Sequence, residues 1–160
     1  MKPLPSPSRS AAPPDHAAER LEQAALRYLT RRDRTEAQVR AYLERAGAAP
    51  TVIATLLGQF RRRGYVNDAA YAGRWVEARL TQRPMGRDRL EAELMAQGFE
   101  PPTIEAALAR AYAGRTEEEL AQALLRQRGR LQTAAKQATL LRRHGFSDDI
   151  IQHCVGDQDS

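Results

Sequence analysis

A lone cysteine, Cys154, stands among the 160 residues, so no disulfide can form within the chain. It follows Ile150 and Ile151 in an apolar-periodic segment, where a buried thiol is expected rather than a reactive one. Aromatic residues make up 6% of the chain, and β-branched residues are few. That scarcity excludes a sheet-based architecture and one large core, and favours helices with modest shared cores. No apolar run approaches the ~20 residues of a membrane span. Met1 to Pro14 holds five prolines and three serines but no continuous apolar stretch, which argues against a secretory signal and makes the cytoplasm the expected compartment.

The chemistry of an enzyme is missing as well. There is no glycine-rich loop carrying Lys and Ser or Thr, hence no sign of a nucleotide site. His16, His144 and His153 show no metal-ligand spacing with one another or with Cys154. The run Glu117, Glu118, Glu119 falls in a helix first turn, where negative charge suits the macrodipole. His144 precedes a helix-ending glycine, a place for a partly exposed imidazole. No catalytic set, metal or cofactor is expected.

What the chain has in quantity is Ala, Leu, Arg, Glu and Gln, all strong helix formers, so the fold class is all-α. After a leader over 1–14 expected to lack fixed structure, Asp15 opens a first helix running to about Arg31. Thr35 with Gln38 and Thr116 with Glu119 have the spacing of capping boxes. Asn67 or Asp68 caps another helix, Pro50 and Pro101-Pro102 precede two more, and Arg83-Pro84-Met85-Gly86 interrupts a long one. Nine helices result. They repeat: four residues before Gly47, Gly98 and Gly145 stand Leu43, Leu94 and Leu141, and one residue after stand Ala48, Phe99 and Phe146. Six after stand Ile53, Ile104 and Ile151, and ten after stand Leu57, Leu108 and Val155. The pattern predicts three tandem three-helix repeats over 15–66, 67–114 and 115–156, followed by a tail at 157–160. Each unit alone buries little, so neighbours are expected to share a core in an elongated, curved array. Tyr71 and Trp75, four residues apart, read as a core stripe, with Trp75 anchoring the second unit.

Charge is unevenly spread. Arg20 to Arg89 holds 15 arginines and no lysine against seven acids, a net of +8, whereas Leu90 to Ser160 carries a net of −3. A basic half joined to a mildly acidic one suits either solvated Arg-rich faces or a polyanion contact on one part of the molecule. The candidate partner-binding residues cluster at helix ends: Arg31, Arg32 and Arg34; Arg61, Arg62 and Arg63; and Arg79, Arg83, Arg87 and Arg89 around Gly86, with Arg74 on the preceding helix. The planar guanidinium fork binds phosphate and carboxylate alike. Cations at a helix C-terminus are favoured in any case, which accounts for Arg61, Arg62 and Arg63 more readily than for the cluster around Gly86.

Between Gln59 and Gly98 a longer pattern is visible. It runs Gly64-Tyr65-Val66-Asn67-Asp68-Ala69-Ala70-Tyr71-Ala72, then Arg74-Trp75-Val76-Glu77-Ala78-Arg79. Arg83-Pro84-Met85-Gly86-Arg87-Asp88-Arg89-Leu90 and Glu93-Leu94-Met95-Ala96-Gln97-Gly98-Phe99 follow. With Ala25 to Arg32 upstream and Leu141 to Phe146 downstream, the order and spacing of these pieces resemble the RecX family over about residues 17–155. Asn67 stands where that family commonly has Asp, and Ala69-Ala70 replaces an acidic continuation. The resemblance implies a monomeric negative modulator that binds the RecA recombinase filament on DNA and suppresses its ATPase and strand exchange. Any direct contact with single- or double-stranded DNA is expected to be weak and non-specific, and no membrane is involved. The alternative is a helix-turn-helix transcriptional regulator, with Thr51 to Gln59 as recognition helix. Val52, Ile53, Leu56 and Leu57 make that helix almost wholly apolar, which suits burial better than a DNA groove.

Overall fold

The computed structural model describes residues 14–128 and 133–156, and every regular element among them is helical. The expected leader, apart from Pro14, and the expected tail lie outside the described residues. Among the described residues nine helices follow in order: α1 (Pro14–Arg31), α2 (Glu36–Arg45), α3 (Pro50–Arg62), α4 (Asp68–Gln82), α5 (Arg87–Gln97), α6 (Pro101–Ala111), α7 (Glu117–Gln127), α8 (Ala134–Arg143) and α9 (Asp148–Gly156).

Local chemistry sets their ends. Thr35 Oγ1 accepts from Gln38 N at 3.1 Å, while Gln38 Oε1 accepts from Thr35 N at 3.1 Å. Thr116 and Glu119 repeat this reciprocal cap at 3.1 and 3.0 Å. Asn67, not Asp68, caps α4. The glycines of the repeat explain its other offsets. Gly47, Gly98 and Gly145 all have φ between 81° and 92°, a region other residues enter only at a cost. The residue after each glycine then donates its N–H back to the leucine carbonyl: Ala48 to Leu43 at 3.0 Å, Phe99 to Leu94 at 3.3 Å, Phe146 to Leu141 at 3.2 Å. Leucine at −4 and an apolar residue at +1 are thus the two ends of one helix-terminating bond, with the apolar contact that accompanies it.

The helices gather into three units with separate cores. The first holds Val39, Leu43, Ile53, Leu57 and Phe60; the second Val76, Leu90, Leu94, Phe99, Ile104 and Leu108; the third Leu124, Leu141, Phe146, Ile151 and Cys154. Tyr71 and Trp75 pack against the second. The expectation of a shared core is corrected: Leu120 is the residue that packs against both the second and third clusters, and no described residue belongs to both the first and second. The reason lies in what the units turn toward one another, which is polar.

Both junctions are built alike. At the first, Thr35 Oγ1 donates to the Gln97 carbonyl at 3.1 Å, and Glu36 N donates to Asp68 Oδ1 at 3.0 Å. At the second, Gly86 N donates to the His144 carbonyl at 2.9 Å, and Arg87 N donates to Glu117 Oε1 at 2.8 Å. In each case the N-cap of a unit's middle helix meets the carbonyl just before the next unit's turning glycine. The next backbone N–H, one of the orphans at a helix start, is taken by the acid that opens the next unit. Thr35 and Gly86 each precede their own unit's turning glycine by the same twelve residues. Burial raises the Asp68 carboxyl above its ordinary pKa, against the pull of the Glu36 N–H.

Thr35 therefore works twice, as cap and as connector, and is fully buried, whereas Thr116 only caps and is exposed. Thr116→Ala is expected to cost ~1 kcal/mol, the usual loss of an N-cap. Thr35→Ala is expected to cost about 1 kcal/mol more, because the half-buried Gln97 carbonyl loses its donor. Urea unfolding of the two variants checks this, and equal losses would remove Thr35 from the junction.

Candidate anion-binding interface

Most of the arginines singled out from the sequence are occupied. Arg79 makes two bonds of 2.9 Å to Glu93, and Arg89 joins the same carboxylate at 3.0 Å while also donating to the Arg143 carbonyl at 2.9 Å. Arg87 reaches Glu105 at 2.8 Å, Arg74 reaches Asp33 at 3.0 Å, Arg63 reaches Glu22 at 3.2 Å and Arg61 reaches Glu36 at 3.6 Å. Arg34 lies over the Tyr28 ring, 4.0 Å from its centroid. Burial alone would raise the Glu93 carboxyl, but Arg79 and Arg89 outweigh it and hold the group below its ordinary value. Like-charge repulsion around Gly86 is thus offset inside the molecule, by Glu93 and Glu105; Glu77 instead pairs with Arg115 at 2.9 Å. Among the described residues no carboxylate pairs with Arg31, Arg32, Arg62 or Arg83. Arg31 and Arg32 are exposed at the end of α1, and Arg62 at the end of α3.

Arg83 has company that sequence reasoning missed. It borders an open cleft of about 700 Å³ between the second and third units, lined also by Arg128, Lys136, Thr139, Arg143 and His144. Three elements supply these groups. Arg83 caps the end of α4, Arg128 caps the end of α7, and Lys136, Thr139 and Arg143 form a stripe along α8 at helical spacing. Among the described residues no carboxylate lines the cleft, and none pairs with any of its four cations. The net charge of −3 over Leu90 to Ser160 hid this cluster. The acids of the third unit sit elsewhere: Glu117 at the junction, Glu119 in a cap, Asp148 on Arg142. Only the helical spacing of Lys136 and Arg143, with Thr139 between them, could have revealed it.

His144 is 4% exposed, a correction to the expectation of a partly exposed ring. Its carbonyl is the junction acceptor for Gly86, which draws the residue into the interface. Nδ1 lies 2.9 Å from the Leu140 carbonyl and so carries the proton, while Nε2 is buried with no described partner. Burial, then repulsion from Arg83, Arg89 and Arg128, hold the imidazole below its ordinary pKa, against the pull of the Leu140 bond. The unfolded chain, whose histidine titrates near 6.5, therefore binds more protons than the native one as pH drops through that value. Stability from this group is present above pH 6.5 and is lost as pH falls toward the native pKa. The slope it contributes is at most about 1.4 kcal/mol per pH unit. Unfolding free energies at pH 7.5 and 5.5 should show the decline, and His144→Gln should lose that component. An unchanged slope in the variant would assign the pH dependence elsewhere.

The chain is similar to known proteins along nearly its whole length. Residues 23–60 match the family model described as RecX, first three-helix domain, and residues 67–108 match RecX, second three-helix domain. A regulatory protein RecX of Mycobacterium sp. (strain JLS) is 33% identical over 167 aligned positions, spanning 96% of this chain and 91% of that protein. One from Amycolatopsis mediterranei (strain U-32) is 34% identical, spanning 84% of this chain and 77% of that protein. The crystal structure of RecX from Lactobacillus salivarius superimposes with a TM-score of 0.76 at 22% identity, covering 91% of this chain and 98% of that one.

Proposed function

The chain belongs to the RecX family of non-catalytic regulatory proteins, and from that premise we propose that it acts on the RecA recombinase as a negative modulator. It binds the RecA–DNA filament in the cytoplasm as a monomer and suppresses ATP hydrolysis and strand exchange. The observation that carries this reading is the family match over both three-helix models, joined to a basic surface whose exposed, uncompensated members include Arg31, Arg32, Arg62 and Arg83. Among the described residues the units meet through four hydrogen bonds at the first junction and five at the second, and the molecule presents a series of helix ends. Such a surface suits contact with an extended assembly.

The helix-turn-helix alternative finds little support in the packing of α3. Ile53, Leu56, Leu57 and Phe60 of that helix are buried in the first core, and between Thr51 and Gln59 the exposed residues are the small ones Thr51, Ala54 and Thr55. Base readout needs polar side chains on an exposed helix face.

The deciding experiment titrates this protein into RecA turning over ATP on single-stranded DNA. Hydrolysis should fall with added protein, and the protein alone should hydrolyse nothing. Unchanged turnover at large excess of folded protein would overturn the proposal.

A further inference from the structure

We infer that the cleft between the second and third units is a binding site for the phosphate backbone of a single nucleic-acid strand. The cleft gathers four cations from three helices, Arg83, Arg128, Lys136 and Arg143, with no acid among its described lining residues. On the other side of the Gly86 turn the molecule neutralises its arginines within a few ångströms, as Glu93 does for Arg79 and Arg89. Here it leaves the charges standing together. In an isolated protein such a group repels itself; an anionic ligand removes that cost and adds charge-assisted bonds.

The shape selects a strand over a lone anion. The α8 stripe from Lys136 to Arg143 extends ~10 Å at 1.5 Å per residue, farther than a single phosphate group can bridge. The lining selects phosphate over protein. Its apolar surface comes from Ala135, Leu140 and the aliphatic parts of the charged side chains, and its described lining holds no Trp or Tyr of the kind that anchors a protein interface. With no ring for bases to stack on, recognition is of the backbone and independent of sequence. His144 reports the event. Among the groups facing it are Arg83, Arg89 and Arg128, which hold its pKa down, with Lys136 and Arg143 lining the same cleft. A phosphate that offsets those charges raises the imidazole pKa, so binding takes up protons and tightens as pH falls.

The inference goes beyond the proposed inhibition and is tested without recombinase, so either can fail alone. The full-length protein is titrated into a fluorescently labelled oligothymidylate over a series of salt concentrations. The double variant Arg83→Ala with Arg143→Ala is compared with a charge-matched control, Arg45→Ala with Arg110→Ala, taken from other surfaces. Each phosphate contact contributes about 0.7 to the slope of log affinity against log salt, so the cleft variant should bind at least tenfold more weakly at low salt with a slope shallower by about 1.4. The control should keep the parent slope. Should the cleft variant unfold, Lys136→Gln, at an exposed position, should still lower the slope by about 0.7, and the His144 ring followed by NMR should titrate higher with the oligonucleotide bound. Parent-like affinity and slope in the cleft variant, an unmoved His144 titration, or poly-glutamate of equal charge binding the cleft as tightly as the oligonucleotide would each overturn the inference.

Discussion

Gly145→Ala is expected to destabilise the protein by ~2–5 kcal/mol, far more than the same change at its repeat counterpart Gly47. Both glycines have positive φ, 81° and 83°, so each alanine incurs the ~1–2 kcal/mol of the left-handed region. They differ in what the new methyl meets. At Gly47 there is nothing within 4 Å, whereas at Gly145 the added carbon would fall 2.2 Å from Arg89 Cβ and 2.8 Å from Arg89 N. Backbone has to move, and overpacking adds another ~1–3 kcal/mol. Gly86→Ala isolates that second contribution, because Gly86 has an ordinary φ of −79° but a Cβ there would lie 2.1 Å from the Gly145 carbonyl oxygen. Gly114, with open space and no positive φ, should tolerate alanine at little cost. Urea titrations of the four variants should rank them 145, 86, 47, 114. Equal losses at 145 and 47 would mean that the units do not meet backbone to backbone.

The second large effect follows from the separation of the cores. Leu43→Ala, Leu94→Ala and Leu141→Ala each empty a fully buried site in a different unit and should each cost ~2–5 kcal/mol. Because Leu43 and Leu141 share no cluster, their double variant should lose the sum of the two to within about 0.5 kcal/mol. Amide exchange should localise the damage, with Leu43→Ala loosening α2 and α3 while α8 and α9 keep their protection. A strongly non-additive pair, or protection lost throughout by one substitution, would show a core held in common.

How far the sequence reveals this molecule depends on the range of each interaction. Caps and turning glycines are local, so Thr35, Thr116, Gly98 and their periodic leucines could be read directly, and with them the helices and the threefold repeat. The junctions could not be read. Asp68 is indistinguishable from a cap by spacing alone, and Glu117 from a residue placed for the helix dipole, yet each accepts an N–H from the preceding unit, 32 and 30 residues away. The arginines were legible as a population but not in their pairings. The partner of Arg79 lies on the next helix, and Arg83 finds its fellow cations on α7 and α8, in the half of the chain whose net charge is negative. Net charge averages over faces that the fold later separates.

The equivalence of the two junctions has an evolutionary reading. Thr35 in the first unit and Gly86 in the second occupy the same register, and so do their acceptors, the carbonyls of Gln97 and His144. The plugs differ only in their residue: Thr35 donates through its hydroxyl, whereas at Gly86 even a Cβ would lie 2.1 Å from the Gly145 carbonyl oxygen. Excision of the middle unit would bring position 35 to the His144 carbonyl and, with glycine there, leave a two-unit chain with no orphaned connector. Duplication would lengthen the chain just as readily. A lineage built on this joint can change its reach in steps of about fifty residues without inventing a new interface, and the surface along the units is left free to diverge.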